Sequence, residues 1–152
     1  MANEIHLDYA SGNTIYAVVR NDAGQVWYPA GSAFEDWGTD GHNADSYDMP
    51  LVDKSGARYV GDFDADIAAG RYTIQMFLQA GANPADGDEL VAGAKIIWTG
   101  TGVMTVDKIL ANKAMQNKTT GAIDYYDDDG QTIFLTHTPT DSESDITRTP
   151  SI

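Results

Sequence analysis

The sequence predicts an all-β fold: an Ig-like or related antiparallel β-sandwich of about seven strands, followed by a short α-helix and a C-terminal β-hairpin. Three observations lead there. Fifteen glycines and five prolines in 152 residues, with many Thr, Tyr and Val, describe strands interrupted by frequent turns. Residues 1–101 break into short alternating segments at the spacing of a sandwich or small barrel. After Gly102 the hydrophobic period changes from two towards 3.6.

Taken in order, "EIHLDYA" sets Ile5, Leu7 and Tyr9 against His6 and Asp8, a half-buried strand with His6 facing solvent. "NTIYAVVR" and "QVWYPA" flank "NDAG", where Gly24 supplies the positive φ of a hairpin connection. "AFEDWGTDGHNADSYDMP" is irregular and reads as a long solvated loop, with room for a short strand. "ARYVGDF" is a strand and "DADIAAG" a turn. "RYTIQMFLQ" is the clearest strand, with Tyr72, Ile74, Met76 and Leu78 on one face. "ELVAGAKIIWTG" closes the sandwich, with Gly93 marking a bulge or bend. Trp27 and Trp98 fall in apolar strands and belong to the core or a sheet face.

Residues 102–152 form a separate helix-hairpin-tail element. "TVDKILANKAMQNKTTG" places Val106, Ile109, Leu110 and Ala114 on one helical stripe, with Thr105 as N-cap and Gly121 beyond the end. So short a helix must pack on something. In "GAIDYYDDDGQTIFLTHT" a three-residue loop, Asp128 to Gly130, sets Ile123 opposite Leu135 and Tyr125 opposite Ile133 on one apolar face. Tyr126 and Phe134 then lie on the other face and need cover. The polar tail contains "DITRT", which suits an edge strand.

Charge and composition exclude several functions. Nine Lys and Arg face 23 Asp and Glu, a net charge of −14. Such a chain lacks the basic groups that nucleic acid and anionic membranes require. With no cysteine, disulfides, thiol catalysis and thiolate zinc sites are excluded. The start "MANEIHLDYA" has neither the basic nor the apolar region of a signal peptide, which predicts synthesis in the cytosol.

The aspartates of "DDDG" invite a calcium reading, but the EF-hand spacing fails. With Gly130 at loop position 6, Tyr125 falls at position 1 and Thr136 at position 12, where a bidentate Glu is required, so two key ligands are missing. A hairpin turn is the better reading. Asp36, Asp40, His42, Asp45 and Asp48 surround Trp37 and Tyr47 without a known ligand spacing. Trp37 and Tyr47 are the candidate ligand contacts, for a carbohydrate or cell surface, and calcium is the one cofactor left open. No nucleophile elbow, zinc-protease motif or phosphate loop occurs, so the chain reads as a non-enzyme.

The stretches "YAVVRNDAGQVW" and "GDFDADIAAGRYTIQMFLQAG" resemble small β-sandwich domains in structural proteins of tailed bacteriophages. The distal "ILANKAMQNKTTGAIDYYDDDGQTIFLTHTPTD…ITRTP" resembles a C-terminal element of tail- and fibre-associated phage proteins. The resemblance implies a virion subunit, made in the host cytoplasm, whose partners are other virion proteins and copies of itself. It implies a place in the tail, at fibre attachment or as an adaptor, with capsid decoration as the alternative. The expected assembly interface comprises Val106, Ile109, Leu110, Tyr126 and Phe134. A carbohydrate- or cell-surface-binding module is the competing reading.

Overall fold

A computed structural model describes residues 3–104, 112–127, 129–141 and 146–151. The chain divides into two compact units, Met1–Val103 and Met104–Ile152. The boundary falls slightly later than the expected one at 101/102. Thr99 donates its N–H to Gly102 O at 3.0 Å, and the turn so closed brings Val103 back beside Trp98.

The first unit contains β1 (Ile5–Asp8), β2 (Ile15–Asn21), β3 (Val26–Tyr28), β4 (Ala33–Glu35), α1 (Ala44–Tyr47), β5 (Met49–Pro50), β6 (Val52–Asp53), β7 (Arg58–Gly61), β8 (Gly70–Leu78) and β9 (Glu89–Trp98). One sheet has the order β1-β7-β6 and the other β4-β3-β2-β8-β9, with β5 also paired to β2. All these pairings are antiparallel. The fold is thus all-β and sandwich-like, as expected. The strands beyond the expected seven are the two-residue pieces β5 and β6, too short to register as periodic.

Between the sheets lies the main core. Ile15, Ala17 and Val19 of β2, Tyr72, Ile74 and Met76 of β8, and Trp27 and Trp98 meet Ile5, Tyr59 and Phe63. Burying each such aliphatic side chain contributes about 1.5–3 kcal/mol. The alternation read from "RYTIQMFL" holds for Tyr72, Ile74 and Met76, all buried. Gly24 has φ +83°, with open space where a Cβ would sit, so the left-handed backbone alone calls for glycine; its N–H donates to Asn21 O and closes the turn. Gly61 serves differently: a Cβ there would overlap the Leu51 side chain, so the core closes over bare backbone. The irregularity of β9 is at Val91 rather than Gly93. Met76 pairs with Ala92 and Phe77 with Leu90, leaving Val91 as the extra residue.

The second unit is a four-stranded antiparallel sheet, β10 (Ala114–Gln116), β11 (Ile123–Tyr126), β12 (Ile133–Asp141) and β13 (Ile146–Ser151), in sequence order. Two expectations change here. The helix was expected to run through Ala114, but Ala114–Gln116 is a strand paired with Ile123–Tyr126. Asn117 decides this: its side-chain Oδ1 accepts the N–H groups of Thr119 and Thr120, and its carbonyl accepts that of Gly121. These bonds make "NKTTG" a turn, where Asn and Gly are favoured for that reason. Val106, Ile109 and Leu110 lie outside the described residues. Of "DITRT", residues 146–149 lie in the edge strand β13, as read, and Asp145 lies outside the described residues.

The hairpin tip also differs. Asp127 donates its N–H to Thr132 O at 2.7 Å, so the loop is one residue longer than expected. Tyr125 opposes Leu135 and Tyr126 opposes Ile133, with Phe134 as the extra residue of a bulge. The bulge puts Phe134 and Leu135 both inside, each 5% exposed, and leaves Ile133 48% exposed. Phe134 is therefore covered within the chain.

Tyr59 tests the main core. Its ring is buried, and its hydroxyl accepts the Asn13 N–H at 3.0 Å while lying 3.1 Å from the carbonyls of Ala10 and Asn13. Tyr59→Phe should cost about 1–3 kcal/mol, because these groups lose a buried partner. Urea unfolding should show a lower midpoint at unchanged slope. An unaltered midpoint would mean that the hydroxyl does not hold β7 to the β1–β2 turn.

Candidate functional site

β2 is buried from Ile15 to Val19 without a break. Ile15, Ala17 and Val19 face the main core, while Tyr16 and Val18 join Val26, Ala44 and Tyr47 in a second cluster. Something must cover this outer face, and the segment read as a solvated loop does so. Asn43 caps α1 through its side chain, which accepts the Asp45 N–H, and α1 lays Ala44 and Tyr47 onto the sheet.

Three polar anchors hold the cover. The Glu35 carboxylate of β4 accepts a hydrogen bond from the Tyr47 hydroxyl at 2.8 Å and pairs with His42 Nδ1 at 2.6 Å. Tyr47 also accepts the Gly38 N–H, and His42 packs on Tyr28 with ring centroids 4.2 Å apart. From far along the chain, Asp86 accepts the Ala44 N–H through Oδ1 at 2.9 Å and approaches Trp37 Nε1 through Oδ2 at 3.4 Å. Asp88 accepts the Tyr16 hydroxyl and the N–H groups of Ala80 and Ala85. Burial pushes the Tyr16 hydroxyl up, and the Asp88 hydrogen bond adds to it. The Ala85 N–H holds Asp88 itself below the usual carboxylate range.

Between cover and sheet remains a cavity of about 290 Å³, lined by Tyr16, Arg20, Trp37, Ala44, Gln75, Phe77, Ala85 and Asp86. Arg20 donates through Nε to Gln75 Oε1 at 2.7 Å and through Nη1 to Gly24 O at 2.9 Å. Its guanidinium carbon lies 5.0 Å from the centroid of the Trp37 ring. Phe77 stacks on Tyr16 with centroids 5.4 Å apart. A second cavity, about 360 Å³, has Asp48, Asp62 and Asp64 in its wall. There Asp62 accepts the Asn3 N–H, Asp64 accepts Trp27 Nε1–H, and burial followed by Asp45 raises Asp48.

The sequence-predicted Trp37 and Tyr47 come together, with ring centroids 4.8 Å apart, but differ in exposure. Trp37 is 36% exposed at the first cavity, whereas Tyr47 is fully buried and serves as a structural anchor, not a surface contact. Arg20, Gln75 and Asp86 were missed. Arg20 and Gln75 sit on neighbouring strands, paired through Arg20↔Thr73 and Val18↔Gln75. The strand pairing was legible only in part, so this juxtaposition was not. In the second unit Tyr126 is half-buried beneath Lys113, whose ammonium is 4.2 Å from the ring centroid. Asp129 accepts the Thr132 hydroxyl and the N–H groups of Thr132 and Gln131, which hold it below the usual range. Its carboxylate is part of the turn. No group of three or more metal-ligating side chains occurs among the described residues.

The Glu35 anchor gives a pH dependence. The His42 hydrogen bond, with Tyr47 adding to it, lowers the Glu35 pKa below its unfolded value. A depressed carboxylate stabilises the fold above the unfolded value of about 4.3, and that contribution is lost as pH falls through the folded value. Glu35→Gln should flatten this acid limb, read as the apparent melting temperature against pH. A limb of unchanged steepness would remove Glu35 from the account.

The chain matches no protein-family model, and searches of curated proteins and of solved structures returned no match.

Proposed function

We propose that the chain is a structural subunit of a bacteriophage virion, in the tail, at tail-fibre attachment or as an adaptor, acting by protein–protein assembly. Exposed apolar side chains on the sheet of unit 104–152 carry this reading. Among the residues whose burial is described there, Phe134 and Leu135 are the buried hydrophobics, while Met115 and Ile133 are 50% and 48% exposed. Single sheets of this size gain stability from a staple or a neighbour. The chain has no cysteine for a disulfide, which leaves association as the simplest device.

The first unit contrasts with it. Its core is filled from both sheets, and its outer face has a built cover. It suits the body of a subunit, with unit 104–152 as the docking element. A net charge of −14 keeps such a subunit dispersed before assembly. No helix among the described residues is long and apolar enough to cross a membrane. The virion setting itself rests on the resemblance of the two quoted stretches.

Truncation tests the division of labour. A chain ending at Met104 should melt cooperatively, and phage particles should incorporate the full chain but not the truncated one. Immunogold labelling of those particles should mark the tail; label over the capsid would favour decoration. Normal incorporation of the truncated chain would overturn the docking role.

A further inference from the structure

The cavity on the outer face of β2 and β8 has a composition that the assembly reading does not use. Tyr16, Trp37 and Phe77 supply aromatic walls, and Arg20, Gln75 and Asp86 supply polar groups that converge on the same space. Arg20 is held in place by Gln75, Gly24 and Trp37, so its position is set before any ligand arrives. The bonds it makes use Nε and Nη1, leaving Nη2 without a partner among the described residues. Gln75 likewise uses only its Oε1, and its Nε2 has no partner there. Asp86 is exposed and keeps accepting capacity, since its contact to Trp37 is long, at 3.4 Å.

Charge narrows the ligand. An anion would meet Asp86 beside the cavity and the field of a chain carrying −14. A cation would meet the fixed guanidinium of Arg20. A purely apolar ligand would strand the donors of Arg20 and Gln75 and the acceptor of Asp86. What remains is a neutral molecule with hydroxyls around its edge and C–H groups on its faces. At about 290 Å³ the cavity sits at the small end of ligand pockets, roughly 300–1,000 Å³, which suits a single ring.

From this we propose that the cavity bounded by Arg20, Trp37, Gln75, Phe77 and Asp86 binds a neutral saccharide residue. Gln75 Nε2 and Arg20 Nη2 donate to its hydroxyls, Asp86 accepts from one, and the aromatic walls take its C–H surface. The site lies wholly within residues 1–103, so it stands or falls independently of the docking role of residues 104–152.

The Trp37 indole reports on it. Trp27 and Trp98 are buried with their indole N–H groups bonded to Asp64 and to Ile67 O, leaving Trp37 as the exposed indole. The full chain, labelled with nitrogen-15, is titrated separately with glucose, galactose, mannose and N-acetylglucosamine, and with glucuronate and choline as charged probes. At least one neutral sugar should shift the Trp37 indole resonance saturably, with Trp27 and Trp98 unmoved. Gln75→Ala should weaken that sugar by about tenfold, as loss of a donor implies. Should that variant disturb the fold, Gln75→Glu keeps the shape and removes the donor, and must weaken the sugar as well. The proposal is overturned by any of three results: no saturable shift with the neutral sugars, tighter binding of glucuronate or choline, or unchanged affinity in the folded Gln75 variant.

Discussion

The first unit depends on burying one strand on both faces. Ile15 to Val19 have no side chain in water, so β2 needs two layers rather than the single partner sheet that a simple sandwich provides. The inner layer is the sheet of β1, β6 and β7 with its connecting segments. The outer is an irregular segment with one helical turn, which can cover apolar surface only if its own backbone and polar groups are satisfied. Glu35, Asp86 and Asp88 meet that need: their oxygens accept from Tyr47, from the Ala44 N–H and from Tyr16. The acidity of the chain thus has a structural use here, with carboxylates serving as acceptors for loop donors.

The same arrangement makes the cavity. A regular strand laid over Tyr16 and Phe77 would pack flush, whereas a loop held at separate points leaves space between them. Arg20, on the part of β2 beyond the buried run, reaches across to Trp37 on the cover. Sheet and cover therefore meet through a cation over an aromatic ring beside a small polar hollow.

How much of this the sequence disclosed depends on how local the signal is. Tyr72, Ile74 and Met76, Trp27 and Trp98, and Gly24 were legible because period-two alternation and positive-φ turns are written within a few residues. The run Ile15-Tyr16-Ala17-Val18-Val19 carries a signal of a different kind. An apolar run without alternation signals burial on both faces, and it required the acidic loop to be a packed layer. The anchor Asp86 could not be read, since it lies 42 residues from Ala44 and nothing local marks it. At Ala114–Gln116 the apolar spacing suited a helix, but Asn117 and Gly121 formed a turn that set a strand beside β11. The hairpin tip kept its left-handed Gly130, yet a bulge at Phe134, invisible to simple alternation, moved that ring from the expected surface to the interior.

Native-state hydrogen exchange tests the two-layer account of β2 most directly. If both layers protect it, the amides of Ile15 to Val19 exchange only through global unfolding and are among the slowest in the chain. Exchange of Val18 at the rate of the exposed residues around Asp36 and Asp40 would contradict it, because the outer layer would then open freely and neither the cover nor the cavity beneath it would be a standing part of the fold.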